Sequence, residues 1–553
     1  MIEEINDLKW IPYFLVFLLV INPSFADSNF SNIQRMIQFD SSGVNMGCRA
    51  SSINKEARPL NSVYLPNGCV LARFQDMTID QFRDIRLKAG GLIVLLPKNL
   101  LDLSLEEKEN IFLLEQAMLV EEISIPVYFS NYDEEIDRII SEINQNPSKG
   151  SAKQQSALSE IFKKISANSY QIVVSGSHSP KKDSRIPIIQ GELIPFKQSS
   201  TDSQTKLPVI IISSQLKPFG ISNSQPPNFD ATIMLTLADI FSKLYNQVTS
   251  SAKYRIVFVL DESGSLLNYQ GTKKWLENNV EENIHNIEFA ICLESFSESI
   301  GDLFMHVSKP PKEGTSVYRF YEILEKKTKQ YSQKSLESVH KKINLADSFF
   351  KFPHERFSMK RVSSFTVSSL KSHSEPLKTS MFSDHTSTSV LNSESELNSA
   401  ITENIQTNTK ILAEALASYI FNFNYDENEE IFTGSLTITD KTMRPYIAPK
   451  SLSKSNNLKL AFEKLLKNVK VTYDISTDRD PDFVFYDGEE AKLNVYNVKP
   501  AVFDLFLTSL IGCYLFSIYF IVLHFPKVYT IISKFAYNPV QPATNGIHLK
   551  KAN

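Results

Sequence analysis

Cysteine is scarce in this chain, with Cys48, Cys69, Cys292 and Cys513 the only four in 553 residues. Their scatter excludes a clustered thiolate metal site. Cys513 lies in a long apolar run and Cys292 in an apolar strand pattern, so neither reads as a staple. Cys48 and Cys69 are left as the one pair that an oxidising compartment could join. Net charge is also scarce: a formal −4 gives no electrostatic case for nucleic-acid binding. No Gly-x-Ser-x-Gly elbow, P-loop or dinucleotide fingerprint occurs, and there are no internal repeats. Hydrophobic residues at 42% and charged residues at 22% are ordinary for a globular chain.

Long apolar runs are few, and two set the topology. Residues 502–525 are almost continuously apolar, interrupted by Asp504 at one end and His524 at the other. About 20 apolar residues cross a bilayer core as a helix, so this run spans. The charged side chains beyond it are Lys527, Lys534, Lys550 and Lys551, with no Asp or Glu. Positive charge on a short flank marks that flank as cytosolic. The final Lys550-Lys551-Ala552-Asn553 resembles a dilysine retrieval signal, a receptor-read address of type I endoplasmic-reticulum proteins. At the other end, residues 10–21 form a short apolar segment of signal-peptide length, with Ser24 and Ala26 before a cleavage point at Asp27. Glu3, Glu4 and Asp7 outweigh Lys9 in front of it, which leaves an uncleaved anchor as the alternative. Asn29-Phe30-Ser31 is a glycosylation sequon, expected to lie on the luminal side.

The expected organisation is a signal peptide at 1–26, an N-terminal luminal lobe at 27–200 and a larger luminal domain at 201–423. A membrane-proximal segment at 424–501, the span at 502–525 and a cytosolic tail at 526–553 follow. So long an ectodomain exceeds one core. In the first lobe, strand-like runs at 90–97 and 125–129 flank a helical pattern at 105–120, and helical spacing recurs across 133–166. In the second, apolar runs at 207–213, 255–260, 288–293 and 365–367 alternate with helical patterns at 232–245 and 271–280. That alternation predicts an α/β fold, a mostly parallel sheet covered by helices on both faces. The Ser/Thr-rich stretch 363–399 reads as a surface loop, and helical periodicity returns at 402–421.

Several segments carry a family resemblance. Asn268-Tyr269-Gln270-Gly271-Thr272-Lys273-Lys274-Trp275, His306-Val307-Ser308-Lys309-Pro310-Pro311-Lys312-Glu313-Gly314-Thr315 and His340-Lys341-Lys342-Ile343-Asn344-Leu345-Ala346 are three of them. His354-Glu355-Arg356-Phe357, Asp478-Arg479-Asp480-Pro481-Asp482-Phe483 and Val498-Lys499-Pro500-Ala501 continue the series. The chain resembles the nicalin family, relatives of nicastrin built on the fold of zinc aminopeptidases. The resemblance implies an aminopeptidase-like core with a smaller N-terminal α/β lobe.

It also implies where a di-zinc site would fall. In the related peptidases a strand ends in His-x-Asp; here Gln215 and Lys217 stand at those places, an amide and a repelling ammonium. Pro226-Pro227-Asn228 stand where a bridging Asp is expected, with Asp230 out of register. Glu262 matches the general base, but Ser263 occupies the adjoining ligand position. Glu294 and His373 match two further ligand positions. The expectation is a pseudo-aminopeptidase with no catalytic residues, metal or cofactor. Read without the resemblance, Glu262 beside Asp261 is a solvated strand end, and His354 and His373 are hydrogen-bonded structural histidines.

The resemblance implies a scaffold subunit of an endoplasmic-reticulum membrane complex. Its partners would be Nodal modulator, a small multi-pass membrane protein, the lipid bilayer and, through the complex, the ribosome-bound translocon. A link to limiting Nodal signalling comes with it, and no nucleic acid is involved. Two alternatives stand beside this: a nicastrin-like gatekeeper of an intramembrane protease, and a residual luminal zinc aminopeptidase using Glu262, Glu294 and His373.

Overall fold

Runs of Ile, Val and Leu too short for helices and apolar on both faces call for strands buried from both sides. In the structure, a computed structural model, the runs at 91–95, 209–215, 255–261 and 287–293 are such strands. The structure describes residues 29–536 except 42–43, 63–67, 99–102, 146–168, 176–184, 196–206, 217–228, 248–251, 280–285, 297–300, 348, 375–377, 379, 381–398, 424–429, 447–456, 476–482, 487–489 and 499–500. Residues 10–26, Lys217, Lys550 and Lys551 therefore lie outside the described residues. The chain divides into two units, one of residues 28–148 with 172–495, the other of 1–27, 149–171 and 496–553.

The first unit begins with β1 (Asn29–Arg35), β2 (Gln38–Ser41), β3 (Val44–Cys48), β4 (Asn54–Arg58) and β5 (Cys69–Arg73). Then come α1 (Ile79–Lys88), β6 (Gly91–Leu95), α2 (Leu105–Val120), β7 (Glu122–Ile123), β8 (Val127–Ser130) and α3 (Glu134–Gln145). Thr78 with Gln81 and Ser104 with Glu107 form capping boxes that start α1 and α2. With β9 (Ser169–Ser175) and the late strand β19 (Glu490–Val498), these strands close a barrel in the order β1-β19-β9-β4-β5-β6-β8. A small sheet joins β2, β3 and β7 to β18 (Phe483–Tyr486). The membrane-proximal segment is thus not merely a connector, because β19 pairs antiparallel with β1, Asn29 opposite Val495. Cys48 and Cys69 are both free and buried: Cys48 Sγ bonds Ala50 O, Ile125 O and the Val127 amide, so the two thiols do not pair.

The second sheet is built from β10 (Arg185–Leu193), β11 (Val209–Gln215), β12 (Arg255–Asp261), β13 (Ile287–Leu293), β14 (Phe304–Val307), β15 (Glu337–His340), β16 (Ser364–Ser368) and β17 (Lys467–Ile475). Its order is β15-β14-β16-β13-β11-β12-β10-β17. The centre is parallel, β12 and β13 flanking β11 and β16 beside β13. Towards the edges, β10 runs antiparallel to both β12 and β17, and β14 antiparallel to β16. Two boundaries differ from those expected. β10, placed before residue 200 in the first lobe, belongs to this sheet, and the loop expected from 363 opens with the buried strand β16.

Alternation of side chains sorts the sheet's two faces. Ile210 and Ile212 pack with α4 (Phe229–Gln247) and α8 (Ser399–Phe421), while Val209 and Ile211 pack with α5 (Gln270–Asn279) and α7 (His354–Met359). Between these helices in sequence lies α6 (Ser316–Ser332), and after them α9 (Asp440–Met443) and α10 (Asn457–Leu465). Trp275 of α5 donates its Nε1 hydrogen to Gln190 Oε1 of β10 at 2.6 Å, fixing helix to sheet.

The other unit contains α11 (Ala501–Leu523) and α12 (Phe525–Ala536). Among the described residues, Phe503–Leu523 is the one helix long and apolar enough to cross a membrane, and it fits a single-pass membrane protein. Two of its hydroxyls bond within the helix: Thr508 Oγ1 donates to Asp504 O and Ser517 Oγ to Cys513 O, each at 2.8 Å. Asp504 sits in the first turn, where a carboxylate complements the helix dipole.

Candidate functional site at the strand ends

Open α/β sheets bind ligands beyond the carboxyl ends of their parallel strands. Gln215 and Asp261 are the last residues of β11 and β12 and pair in register, and Glu294 follows β13 directly. The fold therefore brings Gln215, Glu262, Ser263 and Glu294 to one end of the sheet. Glu262 is 6% exposed and Asp261 fully buried, so this is not the solvated strand end that the sequence suggested. Ser263 in the turn after β12 bonds back to Asp261, and the Glu262 amide donates to Pro187 O of β10 at 3.3 Å.

A carboxylate outside the expected ligand set, Asp261, organises the place. Its Oδ1 accepts from the Ser263 amide at 3.1 Å and from Ser263 Oγ, and its Oδ2 accepts from Thr272 Oγ1 at 2.7 Å. Gln215 Nε2 donates to Ser213 Oγ at 3.2 Å and to Thr272 Oγ1 at 3.3 Å. The helix can come this close because residue 271 has no side chain. A Cβ on Gly271 would stand 2.7 Å from Asp261 Cβ and Oδ1. Burial pushes the Asp261 carboxyl up to about 6, against the pull of these donors.

Glu294 is claimed by Tyr269, whose hydroxyl donates to the two carboxylate oxygens at 3.0 and 2.8 Å. Tyr269 is fully buried, and burial together with Glu294 drives its phenol well above the ordinary range, so it stays a donor. The backbone that delivers it is strained, with φ of 52° at Asn268 and 51° at Tyr269, conformations that cost non-glycine residues about 1–3 kcal/mol each. Neighbours hold it there. Arg356 donates Nε and Nη2 to Asn268 O at 3.1 and 2.5 Å, and the Phe350 amide donates to Asn268 Oδ1 at 2.8 Å. Ser295, φ 51°, is fixed by Asp230, whose carboxylate accepts the amides of Ser295 at 2.7 Å and Phe296 at 2.9 Å.

His373 goes to a neighbouring aromatic cluster. Its ring meets His306 at 5.0 Å and Phe352 at 5.8 Å, and His306 stacks on Phe352 at 4.0 Å. His306 is hydrogen-bonded through Nε2 to Leu370 O at 2.7 Å, and His354 Nδ1 meets Thr366 Oγ1 at 2.8 Å. The expectation of a hydrogen-bonded structural ring thus holds for His354. For His373, Nε2 is buried with no hydrogen-bond partner among the described residues. The Lys378 ammonium lies 3.0 Å from the Phe352 ring centre and donates to Lys351 O at 2.6 Å. Burial, then Lys341 and Lys378, push His373 down to about 4; burial, aided by Lys378 and against the pull of the Leu370 hydrogen bond, takes His306 to about 3. Both rings are neutral at physiological pH, and an ammonium beside them disfavours a divalent cation. Among the described residues no group of three or more His, Cys, Asp or Glu side chains could hold a metal ion.

Tyr269, Thr272 and Asp261 are functional-site residues that the sequence alone does not single out, although Tyr269-Gln270-Gly271-Thr272 lies in one of the family-like segments. The signal is the glycine that opens a helical pattern. It marks close approach to something, without saying what.

No protein-family model matches the chain. It is 32% identical to the zebrafish (Danio rerio) protein named BOS complex subunit ncln, over 94% of this chain and 95% of that one. The chain belongs to the nicalin family. The human (Homo sapiens) BOS complex subunit NCLN is 30% identical with the same coverage, and the protein named nicalin in Caenorhabditis elegans is 24% identical over 89% of each chain. Among solved structures, the γ-secretase component nicastrin superposes with a TM-score of 0.51 at 10% identity, covering 84% of this chain and 99% of nicastrin. That likeness establishes a nicastrin-like fold for this nicalin-family chain, and the fold alone.

Proposed function

We propose that the chain is a non-catalytic scaffold subunit of an endoplasmic-reticulum membrane complex. One observation carries this reading: near-end-to-end identity of 32% to a protein named as a subunit of the BOS complex. The strand-end geometry supports it. Asp261, Glu294 and Asp230 are each engaged by donors from the protein's own turns, where a hydrolase would aim such groups at a metal or a water. Gln215 Nε2 and the Ser263 amide donate into that same network.

In this reading the partners are Nodal modulator and a small multi-pass membrane protein, and the complex serves the ribosome-bound translocon during biogenesis of multi-spanning proteins. The link to Nodal antagonism follows from the same assembly. Asn29 carries the glycan, the large domain is luminal, and Lys550 with Lys551 returns the protein to the endoplasmic reticulum. Helices in lipid associate by close packing, which Ser509, Gly512 and Cys513 permit. Replacing 502–525 with an unrelated apolar helix tests this. The multi-pass partner is lost on purification while luminal association with Nodal modulator weakens only in part. Retention of every partner at full yield would make the span a mere anchor.

A further inference from the structure

The large sheet ends in an open strand. β15 stands outermost, and among the described residues no strand pairs with its far side. Its inner side is spoken for: the Glu337 amide donates to Leu303 O at 3.3 Å and the Lys341 amide to Val307 O at 3.0 Å. Amides alternate in direction along a strand, so those of Ser338 and His340 face outward. An edge with free donors and acceptors accepts another strand.

One end of that edge is strongly positive. The parallel register sets Val307 opposite His340, and His340 Nε2 reaches Ser308 O at 3.2 Å, so Lys309 and Lys312 emerge beside Lys341 and Lys342. Val307 also pairs with Phe365 of β16, which places Arg361 at the same end. Lys309, Lys312, Lys342 and Arg361 are exposed and have no ion-pair partner among the described residues. At the opposite end of the edge the charges are paired, Lys371 with Glu337 of β15 and Lys334 with Asp302, each at 2.8 Å. Leu345, 77% exposed, adds an apolar foothold next to the cations. Glu313 and Asp347 are the acids in these turns, and Asp347 accepts from Asn344.

We propose that the β15 edge is a docking site for an extended acidic segment of a partner protein, which adds as a strand with its carboxylates against Lys309, Lys312, Lys342 and Arg361. Backbone pairing supplies the affinity and the cations the selection and the rate of encounter. The proposal rests on the scaffold reading only in requiring a protein partner. Exposed cations without counter-charges give this end of the edge a positive potential that favours an acidic partner.

The test uses the full-length protein in mild detergent and a fluorescent peptide of about ten residues, β-branched, with glutamates at one end. Anisotropy is read for the wild type, for Lys309→Glu with Lys342→Glu, and for Ser338→Pro, which removes an outward donor without breaking the inner ladder. The expected result is binding that weakens about tenfold in the charge variant and in Ser338→Pro, and with salt. A peptide with Gln in place of Glu binds correspondingly less. Equal binding by wild type and charge variant, or none by wild type, overturns the proposal. So does capture of phosphatidylserine vesicles or inorganic phosphate in place of the peptide. Should Ser338→Pro fail to fold, the charge variant and the Gln peptide still decide. Partners that co-purify while the peptide fails sink this proposal alone; peptide binding without co-purifying partners sinks the scaffold reading alone.

Discussion

Thr272 Oγ1 donates to Asp261 Oδ2 at 2.7 Å, and this bond ties the first turn of α5 onto the carboxyl end of β12. The carboxyl end of β12 is thereby closed by a helix. Gly271 makes the closure sterically possible, and Ser263 completes it from the other side.

Gly271→Ala should therefore destabilise the unit that holds the large sheet more than its volume suggests. The added methyl meets Asp261 at 2.7 Å, well inside van der Waals contact, and one of the two must move. Overpacking of this kind costs about 1–3 kcal/mol. Thermal unfolding of the purified protein checks it: the midpoint falls by several degrees, whereas Gly512→Ala, with nothing within 4 Å, leaves it unchanged.

Asp261 also predicts a pH dependence. Its carboxyl titrates near 6 in the folded protein and near 3.8 when unfolded, so between these values the folded state holds the extra proton. The associated stability is fully present below pH 3.8 and is lost as pH rises through 6. Asp261→Asn removes the titration. Measured as wild type minus variant, stability should fall by about 3 kcal/mol between acid and neutral pH, because each tenfold gain in proton affinity on folding is worth ~1.4 kcal/mol. A difference that stays flat with pH would show that Asp261 does not titrate in this range.

The purified protein should carry well under one zinc per chain and show no turnover of aminoacyl substrates. Glu294 is occupied by Tyr269, His373 is separated into the Phe352 cluster, and Lys378 sits beside it. Elemental analysis and a peptidase assay measure both quantities. Stoichiometric zinc, with activity abolished by Glu262→Ala, would restore the hydrolase reading.

The central strands of the large sheet are legible in the sequence because they are buried on both faces. Ile210, Ile211 and Ile212 leave no other reading. So is α2, whose observed limits, Leu105–Val120, match the expected ones. The edges are not. β17 carries Lys467, Lys470 and other polar residues because one side of it has no neighbour among the described strands. The β1 and β19 pairing joins Asn29 to Val495, far apart along the chain, a relationship no local periodicity encodes. At the site, the sequence names Gln215, Glu262, Ser263 and Glu294, and the fold brings them to one end of the sheet. The bonds that engage them there are not legible, since the Asp261 and Tyr269 networks depend on left-handed backbone at Asn268, Tyr269 and Ser295. Only asparagine among those three hints at such a conformation.

Affinity purification of the full-length protein from mild detergent, with the partners identified and quantified, tests the scaffold account most directly. The account predicts near-stoichiometric recovery of Nodal modulator and a small multi-pass membrane protein, with ribosomal and translocon components in lower yield. Recovery of the chain alone, or with an intramembrane protease in their place, would contradict it.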